Sequence, residues 1–423
     1  MVFLLNKIIN LSSINISSIY NFLFYSLILT TPLIVFGISM GGFSLRISRI
    51  LIIFIIPLMF LKLIYNLNLL LRDKFSLYGF LPYLAYTTIT ALWSPNVETG
   101  TALQRLGGLY EIYMLYMIFI VADLNPERFI VFIKYYVLSA VIPICFSVWQ
   151  FANSILHFSS SEIPFDNYLI SGKYELLEGR VFVAGGGFSR ISSTFAEPVI
   201  FASFICTVLL FSFLLNSNNY FSIITIRFFQ ILAFLIMILS ISKLAIISFI
   251  LGILIICIKG KLYRKYIFIF IFFLMGFLYV LSEYDMLFIF DRLFIETGHY
   301  ELLHDSLLEI KKINFIIGEG IGSVPYGSFH RFVLSRIYES GVYGLIFVYF
   351  VSILPFKILF QKIYNLNSRT IHNICIGVIF AVIFGLHVYD YFIHLFPWVV
   401  IGAIMSLYNN ELYNNLSQMK LKS

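Results

Sequence analysis

The chain has 423 residues, 60% hydrophobic and 12% charged, with 28 Lys and Arg against 21 Asp and Glu for a formal net charge of +7. A soluble domain carries about twice that charged fraction, which excludes a string of two or three soluble domains. The modest positive balance reads as membrane topology, not as nucleic-acid affinity. The cysteines Cys145, Cys206, Cys257 and Cys375 all fall in apolar segments without metal or disulfide spacing, and read as small apolar fillers. No cleavable signal peptide is expected, because the N-terminal stretch lacks an apolar region ending in a small-residue cleavage site.

Apolar runs long enough to cross a bilayer as helices recur along the chain. They predict an all-α, polytopic integral membrane protein in which 1–423 form a single transmembrane domain. About twelve spans are expected. In chain order they lie near 20–38, 50–71, 76–93, 107–121, 128–151, 195–215, 222–241, 243–259, 265–282, 332–356, 371–388 and 391–408. No internal repeat is visible, which weighs against a transporter built from duplicated halves.

The short loops orient these spans. "KGKLYRK" at 259–265 carries four cations, Arg72 and Lys74 sit in a second loop, and Lys357, Lys362 and Arg369 in a third. Lys420 and Lys422 lie in the tail. The positive-inside rule makes all of these cytoplasmic, and an even number of spans then puts both termini inside. Arg46 and Arg49, in "GGFSLRISR", come out on the opposite side. Either the first spans are drawn differently, or those arginines have a task outside.

Two longer connections fall on the outer side, where function often resides. The first, 152–190, holds Glu162, Asp166, Glu175 and Glu178. The second, 283–331, contains "HYELLHDSLLEIKKINF" (299–315), with Leu303, Leu307 and Ile310 at helical spacing. That segment reads as an amphipathic helix lying on the membrane surface. It leads into "GEGIGSVPYGSFHR" (318–331), a turn-rich loop.

Cations gather on the outer side, against the positive-inside bias. Arg190 stands before the sixth span and Lys243 in the turn between the seventh and eighth. Arg292, His299 and His304 lie in the second loop, and His330, Arg331 and Arg336 lead into the tenth span. Each taken singly suits headgroup anchoring by a snorkelling side chain. Together they suit a cationic pocket for a phosphate-bearing ligand, since the planar guanidinium binds phosphate oxygens bidentately and keeps its charge. Glu197, followed by Pro198, fits a helix start that Ser192, Ser193 or Thr194 could cap. It equally fits a carboxylate orienting Arg190 or binding a sugar hydroxyl. Glu339, in "YESGVYG", is a second acid just inside a span, and such acids are functional candidates. His330, between cations, would stay neutral and basic, as a general base on a hydroxyl requires. His387, Asp390 and His394 could place a metal, but a hydrogen-bonded polar turn fits that spacing as well. P-loop, HExxH, GxSxG and dinucleotide-binding signatures are absent from the sequence.

The motifs of 185–350 and the span layout resemble the O-antigen polymerase and ligase superfamily of glycan-joining membrane enzymes. "SRISSTFAEP" (189–198) looks like its arginine motif before a span, and "SISKLA" (240–245) like its Ser-Arg motif with Lys243 replacing arginine. "GHYELLHDSLLEIKKINFIIGEGIGS" (298–323) looks like the stretch running from Gly-Arg to Gly-x-Gly, with His299 where arginine is usual. "FHRFVLSRIYESGVYGLIF" (329–347) looks like the segment in which a histidine precedes Glu-x-Gly. Both replacements keep cationic potential and lose the bidentate fork.

The resemblance implies an enzyme of the bacterial inner membrane with a periplasmic active site. Arg190 and Lys243 would grip the diphosphate of an undecaprenyl-pyrophosphate glycan, with Arg292, His299, Arg331 and Arg336 adding positive charge. His330 would activate the acceptor hydroxyl, with Glu197 and Glu339 as further catalytic candidates. Neither nucleotide nor metal is implied as a cofactor. The implied partners are lipid-linked oligosaccharide and polysaccharide, membrane lipid, and a chain-length regulator and flippase, with no nucleic acid. The "SSTF" and Glu-Pro around Arg190 look more like polymerases of polysaccharide repeat units than ligases to lipid A core. A flippase of lipid-linked oligosaccharide is the reading from another class. It would spread charge through the midspans, where only Lys62, Lys134 and Glu111 stand.

Overall fold

The computed structural model describes residues 17–34, 37–40, 43–93, 99–156, 191–195, 197–215, 223–240, 242–259, 308, 310, 313–321, 323, 332–360, 366–388 and 394–422. Among these the chain is helical apart from one short hairpin. Helix α1 covers 17–30. Its end falls well short of the expected boundary at 38. The hydroxyls of Thr30 and Thr31 turn back onto the carbonyls of Ser26 (3.0 Å) and Leu27 (2.8 Å), and Pro32 has no N–H to continue the ladder. Strand β1 (Gly37–Met40) then pairs antiparallel with β2 (Phe43–Arg46), with Gly37 opposite Arg46.

Helix α2 (Ile47–Tyr65) follows directly, and a short α3 (Asn68–Arg72) leads to a π-helical turn, Ser76–Phe80, that runs into α4 (Leu81–Trp93). Helix α5 is Thr99–Ala122. The expected span 128–151 is two helices in succession, α6 (Pro126–Ser139) and α7 (Val141–Leu156). Pro143 explains the interruption, because a proline has no N–H for the carbonyl four residues back and its ring would clash with that carbonyl in a regular helix. Then come α8 (Pro198–Leu215), α9 (Ile223–Leu239), α10 (Lys243–Lys259), α11 (Phe332–Leu359), α12 (Leu366–Val388) and α13 (Leu395–Lys422).

Helices thus lie over eleven of the twelve expected apolar runs, and 265–282 lies outside the described residues. Among the described residues, six stretches are long and apolar enough to cross a membrane: Ile47–Tyr65, Gly100–Ala122, Pro126–Ala152, Pro198–Leu215, Phe332–Leu359 and Arg369–Val388. The chain is a membrane-embedded helical protein. Of the expected surface helix 299–315, Leu308 and Ile310 are helical and 315–317 form a turn.

Helix α8 is the axis of the bundle. It is apolar on every side, and such a helix is stable only when surrounded. It packs against α6, α9, α10 and α12 and is buried along nearly its whole length. Helices α10 and α12 approach closely because each presents a glycine. A Cβ on Gly252 would meet Leu210 Cδ1 at 2.7 Å, and one on Gly377 would meet the Gly252 carbonyl at 2.7 Å. Small residues are the usual device for such approaches in lipid, where packing replaces the hydrophobic drive.

The junction between α3 and α4 is closed by Asp73, which is fully buried. Its Oδ2 accepts from the Tyr116 hydroxyl at 2.7 Å and the Ser76 N–H at 3.2 Å, and its Oδ1 accepts from Asn409 Nδ2 at 3.4 Å. One carboxylate therefore ties the π-helical turn, α5 and α13 together.

Candidate functional site

Helix α11 is broken. At Gly341 the backbone takes φ 55° and ψ −131° between two helical limbs. Glycine is required there, because a Cβ would lie 2.6 Å from the carbonyl oxygens of both Phe315 and Ile316. Three residues on, Gly344 backs directly onto the Arg336 carbonyl. The two limbs therefore fold against each other at the break.

The segment 313–321 docks into that break. Glu319 N–H donates to the Tyr338 carbonyl (2.9 Å) and Gly320 N–H to the Glu339 carbonyl (3.0 Å), while Val342 N–H donates to Ile316 (3.4 Å). These bonds satisfy carbonyls that the break would otherwise orphan, a condition on any irregular backbone at membrane depth. Gly318 (φ 76°) and Gly320 (φ 96°) supply the left-handed backbone the docking needs. From the other side Tyr86 donates to the Ile317 carbonyl (2.6 Å) and stacks on Tyr343 (centroids 4.0 Å apart).

Two of the sequence candidates meet inside this arrangement. Arg336 Nη1 lies 2.8 Å from Glu339 Oε2, with side-chain exposures of 4% and 0%. The same Nη1 donates to the Tyr83 hydroxyl at 3.3 Å. The Tyr83 ring stacks on Phe347, 4.4 Å between centroids, and Phe347 packs with Phe80 and Trp398. A charge in such an aromatic interior is tolerable only when paired and hydrogen-bonded. The i,i+3 spacing provides the pairing within one helical turn.

The other described candidates stand at helix starts. Glu197 is half-buried just before α8, and its carbonyl accepts the Phe201 N–H at 3.1 Å. Lys243 is the first residue of α10, behind Ser242, whose hydroxyl accepts the Ala245 N–H at 3.3 Å. Helices α8 and α10 pack side by side, with Leu210 against Gly252. Arg190, Arg292, His299, His304, His330, Arg331 and Asp390 lie outside the described residues.

The segment that follows Arg190 is firmly held. Ile191 to Phe195 are all buried. Ser193, at φ 53°, donates its N–H to Gln150 Oε1 (2.8 Å) and its hydroxyl to the Pro143 carbonyl (2.5 Å), and Thr194 donates to the Pro32 carbonyl (2.7 Å). The Ser193 and Thr194 hydroxyls, read as possible caps for α8, are instead fasteners to α7 and to the turn after α1.

His387 is also engaged structurally. Its Nε2 lies 2.8 Å from the Ser352 hydroxyl and its Nδ1 2.7 Å from the Ile383 carbonyl, with the ring against Phe332. Among the described residues no group of three or more His, Cys, Asp or Glu gathers as a metal site.

Three features were missed by sequence reading. Tyr83 gave no signal, since tyrosine is common throughout the chain. Asp73 looked like a loop residue beside Arg72 and Lys74. Arg49 and Glu111 form an ion pair, with Nε 3.0 Å and 2.9 Å from the two carboxylate oxygens. Its only trace in the sequence was that both residues were out of place, one by sidedness and one by depth. Against known proteins, the chain matches no family model and no curated relative.

Proposed function

We propose that the chain is a membrane glycosyltransferase that polymerises undecaprenyl-pyrophosphate-linked polysaccharide repeat units. In this reading about twelve helices cross the bacterial inner membrane, with both termini cytoplasmic and the active site periplasmic. The donor is a growing glycan on undecaprenyl pyrophosphate, and the acceptor is a new lipid-linked repeat unit. His330 takes the proton of the acceptor hydroxyl as its oxygen bonds to the anomeric carbon. The bond from that carbon to the pyrophosphate breaks, and the leaving group departs with the electron pair, its charge held by Arg190 and Lys243 and supplemented by Arg292, His299 and Arg331. Pyrophosphate is a capable leaving group, so positioning, charge stabilisation and one base suffice.

The observation that carries this reading is the docking of two separated motif segments. "GEGIGS" and "YESG" are joined backbone to backbone at a break in a membrane helix, around a buried ion pair. Broken helices at membrane depth are where such proteins build ligand sites. Arg336 and Glu339 are sealed and paired, so their role here is to fix the break that follows His330 in the same motif segment, not to touch substrate. Lys243 and Glu197 begin adjoining helices, and in this reading they flank the ligand.

The test is reconstitution of the full chain in proteoliposomes with purified lipid-linked repeat units, read as chain length on a gel. A ladder that disappears in Arg190→Ala and His330→Ala is expected. Transfer solely to lipid A core would make the chain a ligase. Movement of the lipid-linked unit across the bilayer without new glycosidic bonds would make it a flippase.

A further inference from the structure

Arg46 and Arg49 stand where the topology least favours cations, and the proposed reaction does not use them. Glu111 lies midway along α5, so its pairing with Arg49 draws a guanidinium down from the start of α2 into the bundle. Intramembrane ions are retained for a function or a partner. Arg49 has that partner. Arg46 is half-buried, and its Nε is enclosed without a hydrogen-bond partner among the described residues.

Among the described residues, Arg49 repels Arg46 and Glu111 attracts it. Among the described residues, two guanidiniums against one carboxylate leave positive charge in excess. Guanidinium cannot shed its proton to relieve this. Arg46 also occupies the residue before α2 without capping it, and no acid stands in that helix's first turn. The backbone N–H groups of the α2 start therefore add to the same positive field. An anion with several acceptor oxygens complements the three features together: the excess charge, the enclosed Nε–H and the uncapped helix start.

Below the arginines α2 presents an apolar face, with Ile53, Phe54 and Ile64 at 59%, 61% and 70% exposure. An anion carrying an acyl chain is matched by such a surface, and a free anion is not. We infer that Arg46 and Arg49 form a binding site for the phosphate of a membrane phospholipid, with its chain lying along α2 and Glu111 competing for Arg49. This site is separate from the glycan-joining residues and stands or falls without them.

The test uses the purified full chain in neutral detergent, with phosphatidic acid as the probe and retained lipid counted by native mass spectrometry. Arg46→Gln is expected to lower affinity by about tenfold, the loss of one charge-assisted fork. Arg46→Lys, which keeps the charge without the fork, should fall between. Glu111→Gln is expected to raise retention, because Arg49 gains freedom to bind phosphate; a purely structural ion pair would give no such gain. Unchanged retention in Arg46→Gln would overturn the site. Competition by inorganic phosphate as effective as by phosphatidic acid would overturn its assignment to lipid.

Discussion

Arg336 and Glu339 hold each other at 2.8 Å, one turn before α11 breaks at Gly341, and neither side chain is more than 4% exposed. A buried ion pair is sensitive in one direction. Its net worth against an apolar pair is small, yet removing one partner strands the other charge.

Glu339→Gln should therefore destabilise the folded protein by about 3–5 kcal/mol, and Arg336→Met by a similar amount. The double replacement Arg336→Met with Glu339→Leu should cost clearly less than either single change. Thermal unfolding in detergent, run as a double-mutant cycle, checks this; additive losses would mean that the two side chains do not act as a pair.

Tyr83→Phe removes the hydroxyl that accepts from Arg336 and keeps the ring that stacks on Phe347. A loss of about 1–2 kcal/mol is expected. Tyr83→Leu should lose more, since the stacking goes too. Equal losses for both would place the contribution in the hydroxyl alone.

Gly341→Ala forces a Cβ against the carbonyls of Phe315 and Ile316 at a left-handed backbone position. Loss of about 1–3 kcal/mol is expected from backbone strain, before the steric clash is counted. The visible consequence is release of the 313–321 segment. Amide exchange at Glu319 and Gly320, whose N–H groups bond Tyr338 and Glu339, should accelerate while that of α8 stays slow.

Asp73 makes stability depend on pH. Burial pushes its carboxyl above the ordinary range, opposed by the Tyr116 hydroxyl, Lys357, Asn409 and the Ser76 N–H. A carboxyl raised in the folded state holds its proton more tightly there than in the unfolded chain. Its stabilising contribution is thus full below the ordinary carboxylate range and is lost as pH rises through the raised folded value. Asp73→Asn, neutral and of the same shape, should remove that part of the slope when melting temperature is followed from acid toward neutral pH. Parallel slopes for the two proteins would contradict it.

Much of the architecture was legible without coordinates. Low charge and recurrent apolar runs dictate helices, because backbone groups in lipid must be satisfied within the segment. Gly341 and Gly344 were visible in "YESGVYG", but a glycine does not reveal what approaches it. The expected spans 20–38 and 128–151 ran through Pro32 and Pro143, where the helices end or break; that the carbonyls of these prolines accept from Thr194 and Ser193 was not readable, since those partners lie far apart in sequence.

Composition and periodicity by themselves determined a membrane-embedded helical protein whose helices follow the apolar runs, for the reason that each helix closes its own hydrogen bonds. The i,i+3 spacing already set Glu339 one turn from Arg336. Tertiary structure decided the longer-range meetings: Arg336 reaches Tyr83 because α11 lies against α4, and Arg49 finds Glu111 because α2 lies against α5. A buried charge is defined by its partner, and the partner is chosen by how helices pack, a relation that no local stretch of sequence encodes.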